Sequence, residues 1–209
     1  VFEPGTKFQY SNSNYPLLGV VIEKVSGVSL KEYMKANIFE PLEMSSSSLW
    51  YNDEMQKKRI AKGYRSYKGS LMPSPAIVGS VPYAAGAIVS TVDDLLKWNM
   101  ELKNKSMLTD FVVEHLITEK LTKQGSGTGY GYGFFIKNLL GNKTIQHGGN
   151  LYGFTSYGLY IPDENLFVCI LANKSMERTE EVANYLASVV LGNPLDIQDK
   201  NQIQYNIYQ

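Results

Sequence analysis

The sequence predicts an α+β fold in which an antiparallel sheet is flanked by helices and joined to a helical subregion. Two observations carry this. Helix signals dominate the first 120 residues, and a run of strand signals follows and is closed by a last amphipathic helix. Helices followed by a strand meander indicate α+β, whereas regular alternation of strand and helix would indicate a doubly wound parallel sheet.

In chain order, a turn at Pro4-Gly5 precedes a helix that begins near Asn14 with Pro16 in its first turn. Leu18, Val21, Ile22 and Val25 give it an apolar stripe, and Gly27 ends it. Ser29-Leu30-Lys31-Glu32 fits a capping box, in which the serine hydroxyl and the glutamate each satisfy a free backbone N–H, so a second helix starts at once. From about Pro41 to Pro82 the chain is rich in Ser, Tyr, Lys and Pro with weak periodicity, which predicts an irregular surface excursion. Ser90-Thr91-Val92-Asp93-Asp94 opens a helix through Leu95, Leu96, Trp98 and Met100, with Asp93 and Asp94 as helix-start charges. Another helix runs from Thr109 to about Glu119. Gly129 to Ile136 and Lys143 to Gln146 read as strands joined through Gly141-Asn142, and Phe154–Ile161 and Leu166–Ala172 as two more around Pro162-Asp163. A helix from about Arg178 to Leu191 turns Val182, Leu186, Val189 and Val190 to one face.

Composition bounds the function. The 209 residues are 44% apolar with a net charge of zero, which fits one globular domain over residues 1–192 and a polar tail or linker over 193–209. Scattered Lys and Arg leave no electrostatic footprint for nucleic acid, and no run approaches the roughly 18 apolar residues of a membrane span. Cys169 lies in the apolar run 166–172 and reads as a buried strand thiol. Two histidines and one cysteine without zinc spacing predict no metal, and the glycines of 125–133 satisfy neither a dinucleotide nor a phosphate-loop pattern, so no cofactor is expected.

Tyr10-Ser11-Asn12, on residue chemistry alone, is a polar turn, and His147-Gly148-Gly149 a loop or bulge. Their company changes the reading. Pro4 to Asn12 with Leu17-Leu18-Gly19, Pro41 to Met44, Ala85 to Thr91, Tyr132-Gly133, His147-Gly148-Gly149 with Gly153-Phe154, and Leu171-Ala172-Asn173 together resemble the serine β-lactamase-like superfamily of class C β-lactamases, D-alanyl-D-alanine carboxypeptidases and esterases. The resemblance implies a partial β-lactamase/transpeptidase-like fold. It also implies catalytic roles for Tyr10 as proton shuttle, Asn12 as orienting amide and His147 as donor or proton-transfer aid. Gly148, Gly149 and the Asn150 N–H would seat substrate and oxyanion. His115 reads as packing or surface.

The superfamily's nucleophile motif, Ser-x-x-Lys, is not present: no serine here has a lysine three positions on. A phenol with its ordinary pKa of about 10 needs a nearby cation to act as a base near neutrality, and in the superfamily that lysine supplies it. The expectation is therefore the carboxy-terminal portion of a serine hydrolase acting through an acyl-enzyme, inactive by itself. Its substrates would be β-lactams, D-amino-acid peptides or small esters, in a periplasmic or extracellular setting. Its partners would be a small-molecule or peptidoglycan-like substrate and either a missing amino-terminal segment or a second copy. The alternative is a non-enzymatic module of the same fold that senses a ligand or binds a partner.

Overall fold

The computed structural model describes residues 2–50, 60–75, 79–175 and 178–196. The tail beyond 196 and part of the 41–82 excursion lie outside these. Helix α1 (Asn14–Ser26) ends at Gly27, and α2 (Leu30–Met34) carries the complete capping box of Ser29 and Glu32 before widening into a π turn at Lys35–Phe39. Instead of a wholly irregular excursion, the chain then forms β1 (Ser48–Leu49) and a hairpin of β2 (Tyr64–Tyr67) with β3 (Ser70–Pro73). A short helix, α3 (Tyr83–Gly86), leads to β4 (Ile88–Val89), which pairs with β1. Thr91 caps α4 (Val92–Asn104) by accepting the Asp94 N–H, and Thr109 caps α5 (Asp110–Ile117) by accepting the Val112 N–H.

Four strands then make one antiparallel sheet in sequence order: β5 (Phe135–Leu139), β6 (Asn142–Leu151), β7 (Phe154–Ile161) and β8 (Leu166–Ala172). The last two match the sequence reading. The first two differ. Gly129 and Gly133 take φ of 64° and 92°, which no strand continues through, so the stretch before Phe135 is a glycine-hinged loop. The hairpin turn is Leu140-Gly141, both with positive φ, which moves Asn142 into the strand opposite Leu139. Helix α6 (Thr179–Val190) follows.

The sheet lies between α6 on one face and α4 on the other. Tyr157, Leu159 and Ile161 alternate along β7 and pack with Leu139, Ala183 and Ala187, and Val168 and Ile170 of β8 join them. A second core gathers Leu30, Phe39, Met44 and Leu49 with Ile22 and Trp98, binding α1, α2 and β1 to α4.

Several side chains go where periodicity does not send them. On α1 only Ile22 of the predicted stripe packs inward; Leu18, Val21 and Val25 are exposed, because the helix meets α3 through Gly19, where a Cβ would lie 2.7 Å from the Tyr83 ring. On α6 the face bearing Val182, Leu186, Val189 and Val190 looks outward, and Ala183, Ala187 and Ser188 take the sheet side because their small size lets the backbones approach. Asp94 is more than a helix-start charge. It is 3% exposed and accepts the Ser46 N–H and the Ser47 hydroxyl, both at 2.8 Å, with Lys97 Nζ at 3.3 Å. Cys169 is half-buried on β8, and burial pushes its thiol pKa up. His115 is half-buried between Phe111 and Tyr132.

Candidate active site

Tyr10 lies in the extended segment that enters α1, and His147 lies on β6 opposite Gly158 of β7. The fold brings them together: their ring centroids are 5.8 Å apart. Two further aromatic rings complete the cluster. Phe135 is 6.1 Å from Tyr10 and 5.5 Å from His147, and Tyr130 is 6.0 Å and 6.3 Å from the same two rings. Sequence reasoning missed both, having assigned the Tyr-Gly alternation around residue 130 to a strand. The available signal was the density of aromatic residues directly before the β5–β6 hairpin. Tyr130 is anchored by a 3.0 Å bond between its hydroxyl and that of Tyr15, and Phe8 stacks on its other side at 5.0 Å.

The β5 ladder stops at Phe135 opposite Gln146, so His147 to Leu151 continue β6 paired with β7 only. His147 is therefore a strand residue at the point where one edge of β6 becomes free of β5, rather than part of a loop. Gly148 and Gly149 are set by their cross-strand neighbours: a Cβ at Gly148 would lie 3.0 Å from the Tyr157 ring, and one at Gly149 would lie 2.6 Å from Ser156 Oγ. Asn150 follows, exposed and opposite Thr155. Asn12 is exposed in the turn that opens α1, where its carbonyl accepts the Tyr15 N–H at 3.2 Å. It does not line the cleft beside Tyr10.

The electrostatics separate the two titratable groups. Burial lowers the His147 pKa from its ordinary 6.5, outweighing the opposing effect of a 2.7 Å bond between Nδ1 and the Gly148 carbonyl. The ring is then neutral at pH 7. With Nδ1–H donating to that carbonyl, the tautomer assigned by the partner leaves Nε2 as an acceptor. For Tyr10, burial and then the neighbouring Tyr15 push the phenol pKa up, so it is a neutral hydroxyl. The wall thus holds a proton donor and a proton acceptor side by side without a charge of its own. No group of three or more His, Cys, Asp or Glu among the described residues is placed to hold a metal ion.

Two open spaces adjoin these groups. A cleft of about 720 Å³ is lined by Tyr10, Tyr15, Leu18, Tyr130 and Tyr132 with Lys7 and Lys120. A smaller one of about 220 Å³ lies between α4 and the sheet, lined by His147, Trp98, Tyr160 and Phe167.

Comparison with known proteins gives one consistent answer. The Beta-lactamase family model matches residues 1–191. The D-aminopeptidase of Gluconobacter oxydans (strain 621H) is 24% identical over 99% of this chain and 39% of its own length. Penicillin-binding protein 4* of Bacillus subtilis (strain 168) is 25% identical over 95% of this chain and 47% of its own. Among solved structures, the octameric penicillin-binding protein homologue from Pyrococcus abyssi superimposes with a TM-score of 0.80 at 36% identity, covering 93% of this chain and 45% of that one. The chain therefore spans less than half the length of each of these relatives.

Proposed function

Because this chain belongs to the β-lactamase family, we propose that it is the carboxy-terminal part of a serine hydrolase that forms an acyl-enzyme with β-lactams, D-amino-acid peptides or small esters, in a periplasmic or extracellular setting. In this reading Tyr10 and His147 are the proton-transfer pair, and the amide of Asn12 orients substrate. Gly148, Gly149 and the Asn150 N–H form the strand along which the acyl group lies. The carrying observation is the 5.8 Å approach of the Tyr10 and His147 rings, which unites two motifs far apart in the sequence in one wall.

The attacking group is the missing part. No Ser-x-x-Lys occurs in the 209 residues, so the nucleophile and its lysine come from outside them, and the chain alone is inactive. That lysine would also supply what Tyr10 lacks. A nearby ammonium favours the phenolate and offsets the upward push from burial, turning a neutral hydroxyl into a usable base. His147 Nε2, unprotonated at neutral pH, can then accept a proton or a substrate hydrogen bond.

The test is intact mass before and after exposure to benzylpenicillin and to a p-nitrophenyl ester, for this chain and for any longer product of its gene. The expected result is no acyl adduct on the chain and one adduct on a serine of the longer product. An adduct on the chain alone sinks the reading. A longer product that also lacks Ser-x-x-Lys moves the assignment to a ligand-sensing or partner-binding module.

A further inference from the structure

We propose that the hairpin of β2 and β3 is a finger that docks this chain onto a bilayer surface carrying anionic headgroups. Apart from the half-buried Tyr64 at its base, every residue of the two strands is exposed. Cross-strand partners share a face, so Arg65 and Met72 lie with Tyr67 on one side of the ribbon, and Leu71 lies with Ser66 on the other. Tyr67, Leu71 and Met72 are 52%, 59% and 42% exposed, so apolar surface projects on both sides of the hairpin.

The charge there has one sign. Lys62, Arg65 and Lys68 lie along the strip, and the fold adds Lys174, whose backbone meets Tyr64 in a parallel bridge. Residues 60–75 contain no Asp or Glu, and neither do 149–154 or 172–175, which border the base. All four cations are exposed, and among the described residues none of them forms an ion pair. In a chain of zero net charge this is a local excess, gathered by the fold from cations that are scattered along the sequence.

A two-stranded hairpin is marginal by itself, and this one is held at its base. The Tyr64 N–H donates to the Asn173 carbonyl at 2.9 Å, the Ser175 N–H to the Tyr64 carbonyl at 3.2 Å, and Asn173 Nδ2 to the Lys62 carbonyl at 2.9 Å. Gly63 packs so closely that a Cβ there would lie 2.7 Å from the Phe154 ring. At the tip, Lys68 and Gly69 take φ of 48° and 78°, the positive pair of a two-residue hairpin turn. Glycine adopts that conformation freely, whereas a lysine costs about 1 kcal/mol. The turn therefore gives up stability at the position that carries a cation to the end of the finger.

The shape selects the occupant. A projection offers no groove to a peptide or an extended polymer, but a fluid surface accepts it. Arg and Lys stems let their charged ends rest among lipid phosphates while Leu71, Met72 and the Tyr67 ring enter the boundary of headgroups and acyl chains. Strands of four residues reach about 13 Å, enough for that boundary and well short of the roughly 30 Å hydrocarbon core. A soluble polyanion would meet the cations and leave Leu71 and Met72 in water. No part of this proposal rests on the acyl-transfer reading.

The experiment is co-sedimentation of the 209-residue chain with vesicles of phosphatidylcholine alone and of phosphatidylcholine with one-quarter phosphatidylglycerol, at low and high salt. The chain should bind the anionic vesicles only, and high salt should weaken that binding. A variant carrying Arg65→Gln and Lys68→Gln should bind about thirtyfold more weakly, from the loss of two surface cations. A variant carrying Leu71→Ser and Met72→Ser should bind about tenfold more weakly. All four positions are exposed, so thermal unfolding should match the parent in both variants. Leu17→Ser with Val25→Ser, which alters the equally exposed face of α1, should leave binding unchanged. No binding, equal binding to neutral vesicles, or a loss in the α1 variant without one in the hairpin variants overturns the finger. Binding that depends on Arg65 and Lys68 but not on Leu71 and Met72, and that inorganic polyphosphate reproduces, overturns it in favour of a site for a soluble polyanion.

Discussion

The sheet and the helices around it select their buried residues by opposite rules. Strand β7 buries its large side chains: Leu159 and Ile161 are 0% exposed. Helices α6 and α1 instead bury small groups and leave large apolar ones outside, and α4 buries polar groups beside a single leucine, Leu102. α6 hides Ala183, Ala187 and Ser188 and exposes Leu186 and Val190; α1 hides Gly19 and exposes Leu17 and Val25; α4 hides Asp94, Asn99 and Glu101 and exposes Leu96 and Met100. Strands stand their side chains perpendicular to the sheet, so long residues fill the space between layers. A helix that approaches closely must do so through whatever is short, and α4 approaches by hydrogen bonding buried carboxylates to the backbone of neighbouring turns. Hydropathy therefore predicts burial well in the sheet and poorly in these helices.

The largest test is Leu159→Ala, which removes a fully enclosed side chain and should cost about 2–5 kcal/mol in urea unfolding. A loss near zero would mean that the sheet core is not closed as described.

Next is Asp94→Ala. It removes the acceptor of the Ser46 N–H, leaves the Ser47 hydroxyl with Ser90 Oγ alone and takes the ion-pair partner of Lys97, with an expected loss of about 1–3 kcal/mol. A loss like that of an exposed carboxylate would leave the helix to the ordinary hydrophobic rule. Ala187→Leu follows: if short residues set the α6 approach, the added bulk should destabilise by about 1–3 kcal/mol despite its greater hydrophobicity, whereas stabilisation would show room to spare.

A smaller, pH-dependent effect belongs to His147. Its pKa is lowered by folding, so below 6.5 the unfolded chain binds the proton more readily than the folded one. Stability should fall as pH drops from 6.5 toward the lowered value, then cease to change on this account. His147→Gln should flatten that part of the profile, measured as unfolding midpoint against pH; an unchanged slope would mean the imidazole is freely solvated. The smallest effect is expected at Leu17→Ala, where an exposed side chain is removed and stability should move by no more than about 0.5 kcal/mol. A larger loss there would show that α1's outer face is covered in solution, by a second copy or by chain beyond the described residues.

Much of the candidate site was legible because its motifs are local. Tyr10-Ser11-Asn12 and His147-Gly148-Gly149 are short enough to be read from residue order, and the helix starts at Ser29, Thr91 and Thr109 need only a side-chain oxygen within three residues of a free N–H. Tyr130 and Phe135 were not legible as site neighbours, since their meeting with Tyr10 depends on a loop whose glycines take positive φ.

By itself, the sequence determined the α+β class, the helix caps, strands β7 and β8, the family and the lack of Ser-x-x-Lys, all of them properties of residue order and of contacts a few residues apart. Only the tertiary structure decided that the Tyr10 and His147 rings meet, that Asp94 is buried, and that α1 and α6 turn their larger side chains outward. Those outcomes depend on how closely distant backbones can approach, and that distance is set by the smallest side chains at each contact.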